Sequence, residues 1–252
     1  MATNFNFACI HPSWLPLVQQ ALTRVDPSYL SRLQDSDDWL PGPEKLFRAF
    51  SLPLEHTRMI LLGESPYPRA QSANGYAFWD GAVDSLWSDS GLSKAVNRAT
   101  SLRNFIKMLL LAQNAVKADD LSQETIAQLN KKSYIQSAKQ LFENMMQHGI
   151  LLLNATLVLS PGKVSHDAQA WYGFLATLLE EISRKNKQIT LLLLGKIAQR
   201  VSQLPAAAPF PKIICEHPYN ISFITNPQII QLFKPLELLK PLSVTQKSFT
   251  IA

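Results

Sequence analysis

The residues best equipped for chemistry lie in "LLGESPYPRAQSANGYAFWDGAV", positions 61–83, and around His217. Gly63-Glu64-Ser65-Pro66-Tyr67 ends an apolar run and places a serine two residues past a glycine, the setting of a nucleophile elbow. His217 could act as its base. However, the elbow's closing glycine is Tyr67 here, and Pro66 has no N–H. The elbow needs the amide after its serine for an oxyanion hole, so Ser65 is not expected to be a nucleophile. A second chemistry uses the rings. Tyr67, Phe78, Trp79, Trp87, Tyr219 and Phe223 fall in or near the loops that would surround one pocket. Aromatic faces stack on planar bases, and an Asn amide such as that of Asn154 offers both a donor and an acceptor to a base edge. With His217, these parts suit a pocket for one flipped-out base. The competing reading of each ring is ordinary packing, above all for Trp79 and Trp87, and a histidine after a strand can equally be hydrogen-bonded structure. The acidic residues and histidines show no ligand spacing, so no metal and no cofactor are expected.

These residues need elements to position them. "TRMILLG" (57–63), "GILLLNATL" (149–157) and "QITLLLLG" (188–195) are short apolar runs of the kind buried on both faces of a sheet, and "PKIICEHP" (211–218) reads as a fourth strand. Between them lie helical spacings: Trp14–Arg24, Glu44–Phe50, the set Leu102, Phe105, Ile106 and Leu109, the set Ile135, Ala138, Phe142 and Met145, the stripe Trp171 to Ile182, Lys196–Gln203, and "NPQIIQLF". Residues 64–91 are too rich in Pro, Gly, Ser and aromatics for a regular element, and too long for an idle loop. Strands alternating with helices predict an α/β fold, a single domain with a central, mostly parallel four-stranded sheet flanked by helices on both faces. Such sheets hold ligands beyond the carboxyl ends of their strands. That rule nominates Glu64–Tyr67, Asn154, Gly195–Lys196 and His217.

Composition bounds the classes. A chain of 252 residues can bury one substantial core, so residues 1–252 are read as one domain, its core at about 45–235, with an N-terminal helical extension and a C-terminal tail. The net charge of +5 suits a polyanionic partner. Cys9 and Cys215, the only cysteines, cannot build a disulfide framework or a four-cysteine cluster. The first residues lack a signal-peptide pattern, and no apolar run approaches the roughly 18 residues of a membrane span. The expectation is a soluble, cytoplasmic monomer.

"LLGESPYPRAQSANGYAF", "GILLLNATLVLSPGKVSH", "LLLLGKIAQR" and "HPYNIS" resemble, in order, the four signature blocks of the uracil-DNA glycosylase superfamily, and "SLRNFIKML" lies where that family has a similar helix. The match covers about residues 45–235 and is closest to the classical uracil-DNA glycosylase branch. The resemblance implies a DNA repair enzyme that flips a base, most readily uracil, and hydrolyses its N-glycosidic bond to leave an abasic site. It implies that Tyr67 walls the pocket against thymine's methyl group, Phe78 stacks on the base, Asn154 reads its edge, and His217 hydrogen-bonds the uracil O2. Ile221 falls at the place of an intercalating leucine, with Phe223 as an alternative wedge. Pro68, Ser160, Lys163, Gly195, Lys196 and Ser222 fall where the family holds DNA, largely through its phosphates.

The departures bear on mechanism. The family's water-activating loop reads G-Q-D-P-Y-H, and Ser65 replaces its aspartate while Pro68 replaces its histidine. A hydroxyl can orient water but offers no negative charge to a cationic sugar, and losing a positioned base costs on the order of 10²–10⁴ in rate. Glu64 could supply a carboxylate; alternatively, only its backbone lines the pocket. Related branches that begin this motif with Gly-Glu often carry an iron–sulfur cluster, which two cysteines cannot hold. The rival expectation is a catalytically silent DNA-binding or damage-sensing protein on the same fold.

Overall fold

The computed structural model of the chain describes residues 5–242; residues 243–252, most of the expected tail, lie outside them. Four strands carry the sheet: β1 (Met59–Gly63), β4 (Ile150–Asn154), β5 (Thr190–Leu194) and β6 (Lys212–Cys215). The order is β4-β1-β5-β6 and every pairing is parallel. Each residue of β1 and of β4 is buried, and since successive side chains point to opposite faces, both faces of these strands are covered. A two-stranded hairpin, β2 (Trp87–Ser88) with β3 (Gly91–Leu92), forms inside the stretch expected to be irregular.

Two helix boundaries differ from their apolar spacing for local reasons. The helix expected from Ile135 begins at Ala138, because Ser137 and Gln140 form a reciprocal cap: the Gln140 N–H donates to Ser137 Oγ and the Ser137 N–H to Gln140 Oε1. Trp171 heads the expected third helix in sequence, yet it stands between two helices, Val164–Ala170 and Tyr172–Lys185, capping both. The expected helix at Glu44–Phe50 is a pair of 3₁₀ turns, Pro43–Lys45 and Arg48–Phe50.

Residues 5–40 are built into the core. Helix Leu15–Leu22 packs on helix Tyr172–Lys185, and Trp14, Val18 and Ala21 are fully buried. Trp14 Nε1 donates to the Leu52 carbonyl at 2.8 Å, so its polar edge is satisfied as well. The start of the expected tail is likewise held: Leu238 and Leu239 are buried, and Asn144 Nδ2 donates to the carbonyls of Leu238 and Lys240, each at 2.9 Å. Among the described residues no helix is long and apolar enough to cross a membrane.

Burial of Trp14 predicts that Trp14→Ala costs about 3–5 kcal/mol through lost transfer energy and the cavity left behind. Urea unfolding should show that loss as a lower midpoint of one transition; an unchanged midpoint would mean that the N-terminal segment is not part of the cooperative unit.

Candidate active site

The site lies at the carboxyl ends of the two central strands, β1 and β5, beside the end of β4. Gly63 ends β1 directly opposite Asn154, the end of β4. A Cβ on residue 63 would sit 2.4 Å from Asn154 Oδ1 and 2.9 Å from Ala77 Cβ, so only glycine lets the Asn154 amide fill the space beneath the turn. The ladder then runs on past the strands, with Ala155 N–H donating to the Gly63 carbonyl at 2.9 Å and Thr156 N–H to the Glu64 carbonyl at 3.0 Å. The segment 76–78 is laid alongside by an Ala77 N–H bond to Leu152 O at 3.1 Å. Phe78 follows with φ +63°, a left-handed conformation that a bulky residue adopts only where its surroundings enforce it.

An open cleft of about 310 Å³ is lined by Gly63, Glu64, Phe78, Gly195, Lys196 and His217, with Tyr219 and Asn220 at its side. The Phe78 and His217 rings stack across it, centroids 5.6 Å apart and planes at 27°. Gly195, at φ +74°, allows this arrangement: a Cβ there would come within 2.8 Å of His217 Cβ. The Tyr219 N–H donates to His217 Nδ1 at 3.1 Å. With Nδ1 occupied as an acceptor, the neutral ring carries its proton on Nε2, which leaves a donor for a ligand. Burial holds the His217 pKa below its ordinary value, with the Glu64 charge pulling the other way.

Tyr67 is not among the lining residues but reaches the same turn, its hydroxyl donating to the Phe78 carbonyl at 3.2 Å. Burial, with the Asp80 charge second, raises its pKa to about 12, so the phenol remains a neutral donor. Asp80 in turn pairs with Arg69 at 3.3 Å, tying the far side of the loop. Ser65 is half-buried and also absent from the cleft lining, whereas its neighbour Glu64 enters it. The Glu64 carboxylate is paired with Arg200 at 3.0 Å.

The remaining nominated residues fall into two groups. Ile221 is 80% exposed beside Tyr219, 68% exposed, while Ser222 and Lys196 are exposed and Pro68 lies on the outer surface of its loop. Phe223, expected as an alternative wedge, is 0% exposed and packs on Phe105 at 6.2 Å; it anchors the 3₁₀ turn Ile221–Thr225 and cannot project. Ser160 is buried too: its N–H and hydroxyl both donate to Asp167, at 2.6 and 3.3 Å, so the hydroxyl is committed within the protein while Lys163 stands exposed three residues on. Trp79 and Trp87 are packing residues, Trp79 stacked between Tyr76 and Phe142, and Trp87 donating from Nε1 to the Ile135 carbonyl at 2.7 Å. Among the described residues no group of three or more His, Cys, Asp or Glu side chains is placed to hold a metal ion.

Two residues that sequence reasoning passed over matter here. Asn104, buried on helix Thr100–Ala112, donates from Nδ2 to the carbonyls of Pro218 and Tyr219 at 2.8 and 3.3 Å and pins the loop that carries His217. The hint was a polar residue one turn before Met108 on a helix whose other face is also apolar. Arg200, on helix Ile197–Ser202, looked in sequence like any solvated cation.

No family model matches the chain. It is 27% identical over 199 residues to a uracil-DNA glycosylase of Wolinella succinogenes, covering 75% of this chain and 72% of that one. A uracil-DNA glycosylase of Corynebacterium glutamicum is 25% identical over 227 residues, with 84% and 81% covered. The crystal structure of mimivirus uracil-DNA glycosylase, 18% identical with TM-score 0.54, shares the fold. The wild-type UNG crystal structure from Nitratifractor salsuginis superposes with TM-score 0.89 at 40% identity, covering 93% of this chain and 94% of that one. Identity at that level over nearly the whole of both chains, on the same parallel sheet, establishes that this chain belongs to the uracil-DNA glycosylase family.

Proposed function

We propose that this protein excises uracil from DNA, hydrolysing the N-glycosidic bond to leave an abasic site, and that it does so as a cytoplasmic monomer. The observation that carries the reading is His217: its Nδ1 is occupied by a backbone donor, its ring is held over Phe78, and Glu64 stands in the same cleft.

The roles follow from charge. As the bond between sugar and base breaks, its electron pair goes to the base and positive charge grows on the sugar. Phe78 supplies the face on which the flipped base stacks, and the Asn154 amide reads its edge. Tyr67, fixed to the Phe78 carbonyl, walls the pocket on the side where thymine carries its methyl group. His217 Nε2–H donates to the base oxygen where negative charge collects; a neutral donor suits this, since a preorganised hydrogen bond is stabilising without needing to give up its proton. The Glu64 carboxylate faces the cationic sugar and orients the water that adds to its anomeric carbon, with Ser65 as a hydroxyl partner for that water. Pro68, Lys163, Lys196, Ile221 and Ser222 meet the DNA, the lysines as phosphate ligands and Ile221 as the residue that fills the gap left by the flipped base. Ser160 supports this surface from beneath, through Asp167.

The test is release of uracil from single-stranded and U:G duplex DNA by the purified protein. Glu64→Gln is expected to lower kcat by about 10²–10⁴-fold, as for loss of a positioned carboxylate, and His217→Ala by about 10²–10³-fold, as for loss of one anion-stabilising donor. DNA binding without release by the wild-type protein would overturn the reading in favour of a silent binding protein.

A second prediction concerns protonation. Burial lowers the His217 pKa from 6.5 and Glu64 raises it, so NMR titration should place the ring below 6.5, with Nε2 protonated in the neutral form. Glu64→Gln should move it lower still. Because the unfolded chain takes up this proton first, the His217 contribution makes stability fall as pH drops below about 6.5 and is without effect above it. An upward shift in Glu64→Gln would mean that the two groups do not face one another.

A further inference from the structure

Glu64 is held at both ends. Its carbonyl accepts from Thr156 N–H at 3.0 Å, which fixes the backbone as a continuation of the β1–β4 ladder, and its carboxylate accepts from Arg200 Nη1 at 3.0 Å. Arg200 is not itself a lining residue but belongs to helix Ile197–Ser202, whose first residue lines the cleft directly after the Gly195 turn, 136 positions away in the chain. The contact is end-on: one nitrogen meets Oε1, and among the described residues no protein donor meets Oε2. A bidentate pair would have closed both oxygens. This pairing fixes the carboxylate and still leaves an oxygen for water or sugar. Both side chains are about half exposed, so the pair itself adds little to stability.

We infer that Arg200 is a positioning residue for Glu64: its guanidinium holds the carboxylate at the mouth of the base cleft with one oxygen free, so that Glu64 supplies the negative charge Ser65 cannot. The inference rests on the glycosylase reading above. It accounts for a carboxylate on a side chain one bond longer than aspartate and one position earlier in the loop. Such a side chain has more rotamers to lose, and a fixed partner from the facing element removes that freedom before substrate arrives. Lys196 and His217 also line the cleft, but neither pairs with the carboxylate.

The experiment compares wild type, Arg200→Ala, Arg200→Lys, Glu64→Gln and the double variant in steady-state release of uracil from single-stranded DNA at several salt concentrations. Arg200→Ala is expected to lower kcat about tenfold with KM little changed, Arg200→Lys to restore most of it, and Arg200→Ala to add no further loss on the Glu64→Gln background, the behaviour of residues acting as one unit. In parallel, NMR titration of His217 should shift upward in Arg200→Ala, since the Glu64 charge is then unshielded; this readout needs no activity. Arg200 is an exposed residue, and thermal unfolding midpoints verify that each variant is folded. A rise in KM alone with a flatter salt dependence would make Arg200 a phosphate contact and overturn the inference. So would additive losses in the double variant, or full activity in Arg200→Ala. Loss of the glycosylase reading itself would appear separately, as no release by the wild-type protein.

Discussion

Everything at this site hangs on the close approach of two strand ends, Gly63 on β1 and Asn154 on β4. Parallel pairing brings them opposite one another, and the absent side chain of Gly63 is the space the Asn154 amide occupies. From that contact the Glu64 backbone is carried on in the ladder, and the 76–78 segment is laid alongside to present Phe78. A sheet of this kind is stiff because its strands are buried on both faces, and residues at its strand ends inherit that stiffness. The second glycine, Gly195, does the same for the neighbouring strand, letting His217 come close from β6. The cleft thus opens over two strand ends without side chains, with His217 lining it from beyond β6 and the Asn154 amide buried against Gly63.

Rigidity spreads outward by polar anchors rather than by further sheet. The loop carrying His217 leaves β6, an edge strand with exposed residues, and would be loosely held by strand pairing alone. Asn104 compensates from a different helix by binding two of the loop's carbonyls, and Phe223 seats the following turn against Phe105. The loop after β4 is braced in the same manner. Asp167, fully buried, accepts from Ser160 N–H and from the Tyr29 hydroxyl at 2.9 Å, and Trp171 Nε1 donates to that hydroxyl at 3.1 Å. Through Tyr29 the N-terminal helices are coupled to a loop that borders the cleft side of the sheet.

The parts of the fold that were legible in the sequence are those with a strong single-chain signal. The runs 57–63, 149–157 and 188–195 could hardly be anything but buried strands, and the rule that ligands sit beyond strand ends led from them to Glu64, Asn154, Gly195 and His217. What stayed hidden depends on partners remote in sequence. Ser160 reads as a surface hydroxyl until Asp167 claims it; Phe223 reads as a projecting wedge until Phe105 covers it. The short helix Pro27–Gln34 and the 3₁₀ turns that follow have too few residues for a periodic pattern, so the first 40 residues looked like an extension although Trp14 is core. Arg200 carries no signal at all before folding sets it across from Glu64.

Phe78 shows how such a site constrains change. Its φ of +63° is a conformation that glycine adopts freely and a phenyl-bearing residue adopts at a cost of about 1–3 kcal/mol. The same residue presents the ring that stacks on His217. Glycine would relieve that strain but would also lose a ring packed against the core, so packing and base capture both hold a phenyl group at position 78 against the preference of its backbone. A redesign of this protein that scored backbone geometry alone would single out position 78 for glycine, and would remove core packing and the stacking face in one step.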